Sequence, residues 1–218
     1  MNDLANYPVT LVLIAVNVII SLIAMNNQDV LSKTIMWPYG VKRYNQFYRF
    51  ITSGFIHADY MHLFFNMFTL LFFGQVVEVY FSIYGLGGNI AYLALYFLGL
   101  IASDLPTYLK QKDNYNYHCL GASGAVSAIV FAAVVFNPWG SIYLYGALKI
   151  SALVYAVLYI VYCVAMARRG GDNINHDAHL WGSLFGFGFT IALIGAMQPA
   201  LFELILDQLK HPSLFGRG

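Results

Sequence analysis

Charge is what this sequence lacks most. Of its 218 residues only 10% are Asp, Glu, Lys or Arg, against about 25% in a typical soluble domain. Cysteine is nearly absent too, and Cys119 and Cys163 give no disulfide framework. The formal net charge of +1 removes any electrostatic case for nucleic acid. Hydrophobic residues fill the space, at 60% of the chain and a mean hydropathy of +0.65. A soluble globule of this length could not hide that much apolar surface. A membrane span takes roughly 20 apolar residues, so six use about 120 and leave about 100 for loops and ends. The composition points to an integral membrane protein. It leaves no room for a large soluble domain beside the membrane part, and excludes disordered and collagen-like chains.

The apolar runs predict six spans, at about residues 8–25, 60–82, 86–103, 120–136, 147–167 and 178–206, in one membrane domain over residues 1–218. Only Asp3 precedes the first run, whereas a secretory signal wants a basic start, so a retained helix is expected. Residues 26–59 mix Lys33, Lys42, Arg43 and Arg49 with Trp37, Tyr39, Tyr44, Phe47, Tyr48 and Phe50. That mixture suits the headgroup zone and predicts a long, ordered first loop in the interface. Residues 83–85 make spans two and three antiparallel neighbours, a polar loop is expected at 104–119, and Asn137-Pro138 stops span four. Gly170-Gly171 opens a flexible fifth loop. Neither an internal repeat nor the broken helix pairs of transporters stand out.

A few polar groups sit where they are costly. Span four opens with Gly121-Ala122-Ser123-Gly124-Ala125, and span six with His176-Asp177-Ala178-His179, then Gly182 and Gly186. Span two carries His62 with Asn66 four residues on, hence on one helix face, and His57 lies just before it. The small-residue stripes Gly121, Gly124, Ala128 and Gly182, Gly186 predict close packing of span four on span six, bringing Ser123 within reach of His179. Spans two, four and six all start on one side of the membrane. Ser123, His179, His62 and Asn66 therefore share one depth. Intramembrane His and Asn default to a functional reading.

Each signal alone has a bland alternative. A lone Ser in a membrane helix ordinarily packs or bonds back to its own carbonyls, and a His near a helix end ordinarily sits in the interface. Gly-Ala-Ser-Gly-Ala also fails the Gly-x-Ser-x-Gly nucleophile elbow. A metal site built from His176, His179 and His57 or His62, with Asp59 or Asp177 outside, is the sharper rival. Asp177 lies on the wrong face to orient the His179 ring, and no other acid is expected at this depth. A Ser-His pair without a third carboxylate is the catalytic unit these residues allow. A small channel or transporter would instead spread polar groups along a path.

These blocks resemble the rhomboid family of intramembrane serine proteases over about residues 48–186. Gly121-Ala122-Ser123-Gly124 is similar to the family's Gly-x-Ser-Gly, and Ala178-His179-Leu180-Trp181-Gly182 through Gly186 to its Ala-His-x-x-Gly-x-x-x-Gly block. His57 through His62 to Asn66 is similar to its His-x-x-x-x-His-x-x-x-Asn block. The resemblance implies an all-α membrane protein, a six-transmembrane-helix bundle with a long interfacial first loop. It implies Ser123 as nucleophile and His179 as base, with His62, Asn66 and the Ser123 backbone forming the oxyanion hole. Gly121, Gly124, Gly182 and Gly186 then pack the site, while Glu78 and Arg49 support the first loop. No cofactor or metal is implied, and the partners are the lipid bilayer and transmembrane protein substrates. Two departures matter: Tyr48-Arg49 replaces the family's Trp-Arg, and Ser127 stands where several members stack a Tyr on the catalytic imidazole. A catalytically inactive relative that binds membrane-protein clients is the alternative within the family.

Orientation is contested. Lys33, Lys42, Arg43, Arg49, Lys110, Lys112, Arg168 and Arg169 lie in the odd loops, which the positive-inside rule alone puts in the cytosol. The resemblance implies the reverse, with a site opening to the extracytoplasmic side of a bacterial inner membrane. We follow the resemblance, because four of these cations lie in one structured loop.

Overall fold

The computed structural model describes residues 7–144, 148–171 and 174–215. The expected start of span five at Ala147 lies outside them, as do Asp3 and Arg217. Pro8 supplies a first-turn proline for α1, Pro8–Asn26. The first loop is built from α2, Gln28–Thr34, α3, Pro38–Tyr44, α4, Arg49–Thr52, and a 3-10 turn, Ser53–Phe55. The long helices α5, Tyr60–Ile83, and α6, Gly88–Gln111, follow, then α7, Ser123–Phe136. Strands β1, Ser141–Leu144, and β2, Leu148–Ser151, form an antiparallel hairpin pairing Ser141 with Ser151 and Ile142 with Ile150. The fold closes with α8, Ala152–Arg169, α9, His176–Met197, and α10, Pro199–Leu209.

Five of these helices (α1, α5, α6, α8 and α9) are long and apolar enough to cross a membrane by length and composition, and α7 is apolar but shorter. The chain is a mostly helical, multi-pass membrane protein. At the centre stands α7, with every residue except Ser123 and Ala133 buried, packed on α5, α6 and α9. Polar groups on α1 tie it to its neighbours: the Tyr92 phenol O–H donates to Thr10 Oγ1 at 2.9 Å, and Asn17 Nδ2 donates to Tyr96 Oη at 2.9 Å.

Four boundaries depart from the sequence expectation. Helix α6 runs on through Asp104 and Pro106 to Gln111, where a polar loop was expected. The polar side chains there have partners: Ser53 Oγ approaches Asp104 Oδ2 at 3.4 Å, and Thr107 Oγ1 donates to Asn175 Oδ1 at 3.2 Å. Residues 120–122 precede α7 rather than opening it. The hairpin takes the first residues expected for span five, and α8 begins at Ala152 with Ser151 as its cap, so the chain is not purely α. Span six divides at Gln198, whose backbone leaves the helical region (φ −140°, ψ 68°) just before Pro199, where proline disfavours a helical conformation for the preceding residue.

Candidate active site

Ser123 is the first residue of α7, where a helix leaves its leading N–H groups without intrahelical acceptors. The segment feeding it is pinned to the first loop. Met36 and Cys119 exchange backbone hydrogen bonds at 3.0 and 3.1 Å, and Gly121 N–H donates to Ser53 O at 2.9 Å. Gly121 has φ +121°, and a Cβ there would lie 2.8 Å from His62 Cε1 and 3.0 Å from Nε2. Glycine is therefore required twice, for the backbone twist and for the imidazole lying against it.

His179 sits in the first turn of α9. Asn175 caps that helix by accepting from Ala178 N–H at 3.2 Å, and Asp177 is engaged by Lys110 at 2.6 Å. Helices α7 and α9 touch backbone to backbone. A Cβ on Gly182 would fall 2.2 Å from Gly124 O, and one on Gly186 would fall 2.0 Å from Ala128 O. Both contacts step by four residues in the same direction, so the helices run parallel in register. Ser123, one residue before Gly124, and His179, three before Gly182, thus meet at the same end.

Asp59 caps α5 by accepting from His62 N–H at 2.8 Å, and Asn66 Nδ2 donates to His62 O at 3.0 Å, using one of its two amide N–H groups. His57 lies behind His62, ring centroids 5.0 Å apart at 75°, with Nδ1 2.8 Å from Ser21 Oγ. Burial first, and the His62 charge second, lower the His57 pKa to about 3, so this ring is neutral near pH 7. Burial likewise raises the Cys119 thiol, which stays protonated.

One cavity of about 1070 Å³ is lined by Ser123, His179, His62 and Asn66 together, from three helices. Cys119 and Asn175 line its loop end, and Phe65, Val130, Tyr155 and Tyr159 wall it between α5 and α8. Among the described residues no three His, Cys, Asp or Glu side chains are grouped to hold a metal ion. Arg49 serves the first loop: its guanidinium donates to Gln46 Oε1 at 2.7 Å and to the carbonyls of Ser32 and Ile35. Glu78 does not support that loop. Its carboxylate accepts from Val9 N–H at 2.9 Å, and from Thr10 N–H and Oγ1 at 2.7 Å each, capping α1 at the far end of the molecule. Sequence reasoning missed Tyr159, whose ring lies 6.3 Å from that of His179 at 20°. The signal was present: Tyr159 and Tyr162 on α8 share the three-residue spacing of His176 and His179 on α9.

Bundle and cavity together define a polytopic membrane protein whose helices surround a cavity lined by Ser and His side chains. Residues 44–196 match the Rhomboid domain family, and the chain belongs to the rhomboid family. It is 28% identical over 166 residues to the RHOMBOID-like protein 12, mitochondrial, of Arabidopsis thaliana, covering 72% of this chain and 49% of the relative. It is 31% identical over 152 residues to that organism's Rhomboid-like protein 11, chloroplastic (64% and 50%), and 25% identical over 198 residues to its Rhomboid-like protein 15 (86% and 47%). The chain spans about half the length of these relatives.

Proposed function

We propose that this protein is an intramembrane serine endopeptidase that cleaves transmembrane segments of other membrane proteins through a Ser123–His179 dyad. The observation that carries this reading is the single cavity shared by Ser123, His179, His62 and Asn66. Ser123 Oγ attacks the scissile carbonyl while His179 takes its proton, then returns it to the leaving amine. The oxyanion forms beside the Ser123 N–H at the positive end of α7, with the His62 ring and the second Asn66 N–H as side-chain donors. Gly121, Gly124, Gly182 and Gly186 let these groups converge, as the contacts above indicate. Presence of both Ser and His favours this reading over an inactive client-binding relative. Cofactors have no part in it.

We infer that α7 is a sixth span. Its 14 residues reach about 21 Å, short of a hydrocarbon core of about 30 Å, so one of its ends lies beneath the surface. The site then opens into a wet, sunken cavity, and the wall between α5 and α8 is the side from which a substrate helix enters. We keep the extracytoplasmic orientation. The named relatives include mitochondrial and chloroplastic proteins, so family membership does not select a bacterial membrane.

Purified protein in detergent is expected to cleave a transmembrane substrate and to be labelled at Ser123 by a fluorophosphonate. Ser123→Ala and His179→Ala should each lower kcat by roughly a thousandfold or more. His62→Ala or Asn66→Ala should cost about 10²- to 10³-fold. Equal cutting by the Ser123→Ala or His179→Ala variant would end the proposal, and loss of activity in chelator would return the metal alternative.

A further inference from the structure

We propose that Tyr159 is the positioning residue for the His179 imidazole and that Ser127 anchors it; the consequence for catalysis rests on the protease reading above. The Tyr159 ring faces the His179 ring at 6.3 Å and 20°. Tyr155, one turn earlier on α8, stacks on the Tyr159 ring at 5.6 Å and 21°. The phenol oxygen is 3.3 Å from Ser127 Oγ on α7, and Phe131 on the same helix closes on the ring at 6.0 Å. Tyr159 is thereby held from α7 while it covers a ring on α9.

Ser127 sits one turn beyond Ser123 on α7, on the same face. Its side chain is too short to reach across the cavity as a ring would. A hydroxyl at that position does something else: it fixes the phenol of a tyrosine arriving from α8. The acid at hand cannot substitute as an orienting partner, because Asp177 is paired with Lys110 at 2.6 Å. Next to this rung a second one joins the same helices, with Tyr162 edge-on to His176 at 5.6 Å. The α8–α9 contact is thus a two-rung ladder of tyrosine on histidine, and the inner rung carries the candidate base.

The test pairs spectroscopy with kinetics on the full chain in detergent micelles. Histidines are labelled at Cε1 and the His179 signal is assigned through His179→Ala. Tyr159→Leu should move that signal, through loss of the ring current, and Tyr159→Phe should leave it near its parent position. An aromatic pair contributes about 0.5–1.5 kcal/mol, so Tyr159→Leu should lower kcat about three- to tenfold at nearly unchanged KM, and Tyr159→Phe should restore most of it. Ser127→Ala should fall between the two. A His179 signal that ignores Tyr159→Leu overturns the proposal whether or not the protein cuts substrate, and a moved signal with unchanged kcat overturns the positioning role. A moved signal in a parent protein that neither cleaves nor labels supports the stack and defeats the protease reading instead.

Discussion

Ser21 Oγ stands 3.0 Å from Phe55 O and 2.8 Å from His57 Nδ1. A hydroxyl has one proton, and a carbonyl can only accept it, so Oγ–H goes to Phe55 and His57 Nδ1–H donates to the oxygen. This assigns the tautomer: Nε2 is a bare acceptor, buried and without a hydrogen-bond partner among the described residues. Charging that ring would place a cation beside His62 in a dry pocket. The folded pKa of about 3 lies below the ordinary value near 6.5. Between the two, the unfolded chain binds a proton that the folded chain refuses, so stability falls as pH drops from 6.5 toward 3. The slope reaches about 1.4 kcal/mol per pH unit. Between pH 7 and pH 5 this one ring is expected to lower stability by roughly 1–2 kcal/mol, read as a falling thermal midpoint in detergent. His57→Gln should flatten that dependence, and an unchanged pH slope in the variant would refute the buried neutral ring. The sequence marked His57 as part of a motif. Its neutrality follows from burial and its tautomer from Ser21 on α1, and no local pattern announces a partner 36 residues away.

At the scale of elements, the parallel crossing of α7 and α9 decides how closely Ser123 and His179 can meet. Glycines on α9 sort into two kinds. Gly182 and Gly186 face backbone carbonyls closer than any Cβ tolerates, whereas Gly188 and Gly195 have nothing within 4 Å. Gly186→Ala is expected to force the helices apart at a cost of about 1–3 kcal/mol and, by displacing the dyad, to cut kcat about 10²-fold. Gly188→Ala on the same helix should keep full activity and hold or raise the thermal midpoint, since alanine is the better helix former by about 1 kcal/mol. Thermal melts and cleavage rates of the two variants check this directly; equal losses would remove the packing argument. This crossing was legible, because small residues at spacings of three and four write the contact into each helix separately. The reach of α6 to Gln111 was not. Asp104, Pro106 and Thr107 look like a loop, and their helical state depends on Ser53 and Asn175, contributed by the first loop and the start of α9. The hairpin was hidden for a related reason: Ile142, Tyr143 and Ile150 read as part of an apolar run until their pairing is seen. The break at Gln198-Pro199 obeys a local rule and was there to be found.

For the whole molecule, depth is the quantity that connects fold to chemistry. The far end of α7 is level with the end of α5, because Phe136 packs on Tyr80 at 5.1 Å and lies parallel to Tyr84 at 6.0 Å. Helix α5 has 24 residues and α7 has 14, so the shortfall of α7 falls at its Ser123 end and amounts to about 15 Å at a rise of about 1.5 Å per residue. The capping of α1 by Glu78 puts the start of α1 at that same far end, and α10 follows α9 there. Cations at the site end are partly absorbed by the fold. Arg49 is buried among carbonyls, and Lys42 and Lys110 are paired with Asp113 and Asp177. A single thiol tests depth and side together. In a chain carrying Cys119→Ala and Cys163→Ala, Ser123→Cys is expected to react with a membrane-impermeant cationic thiol reagent in intact cells, and to be protected in sealed inverted vesicles. Reaction only in inverted vesicles would reverse the orientation. Reaction only with lipid-soluble reagents would mean that no water reaches the nucleophile, and hydrolysis at this site would lose its second substrate.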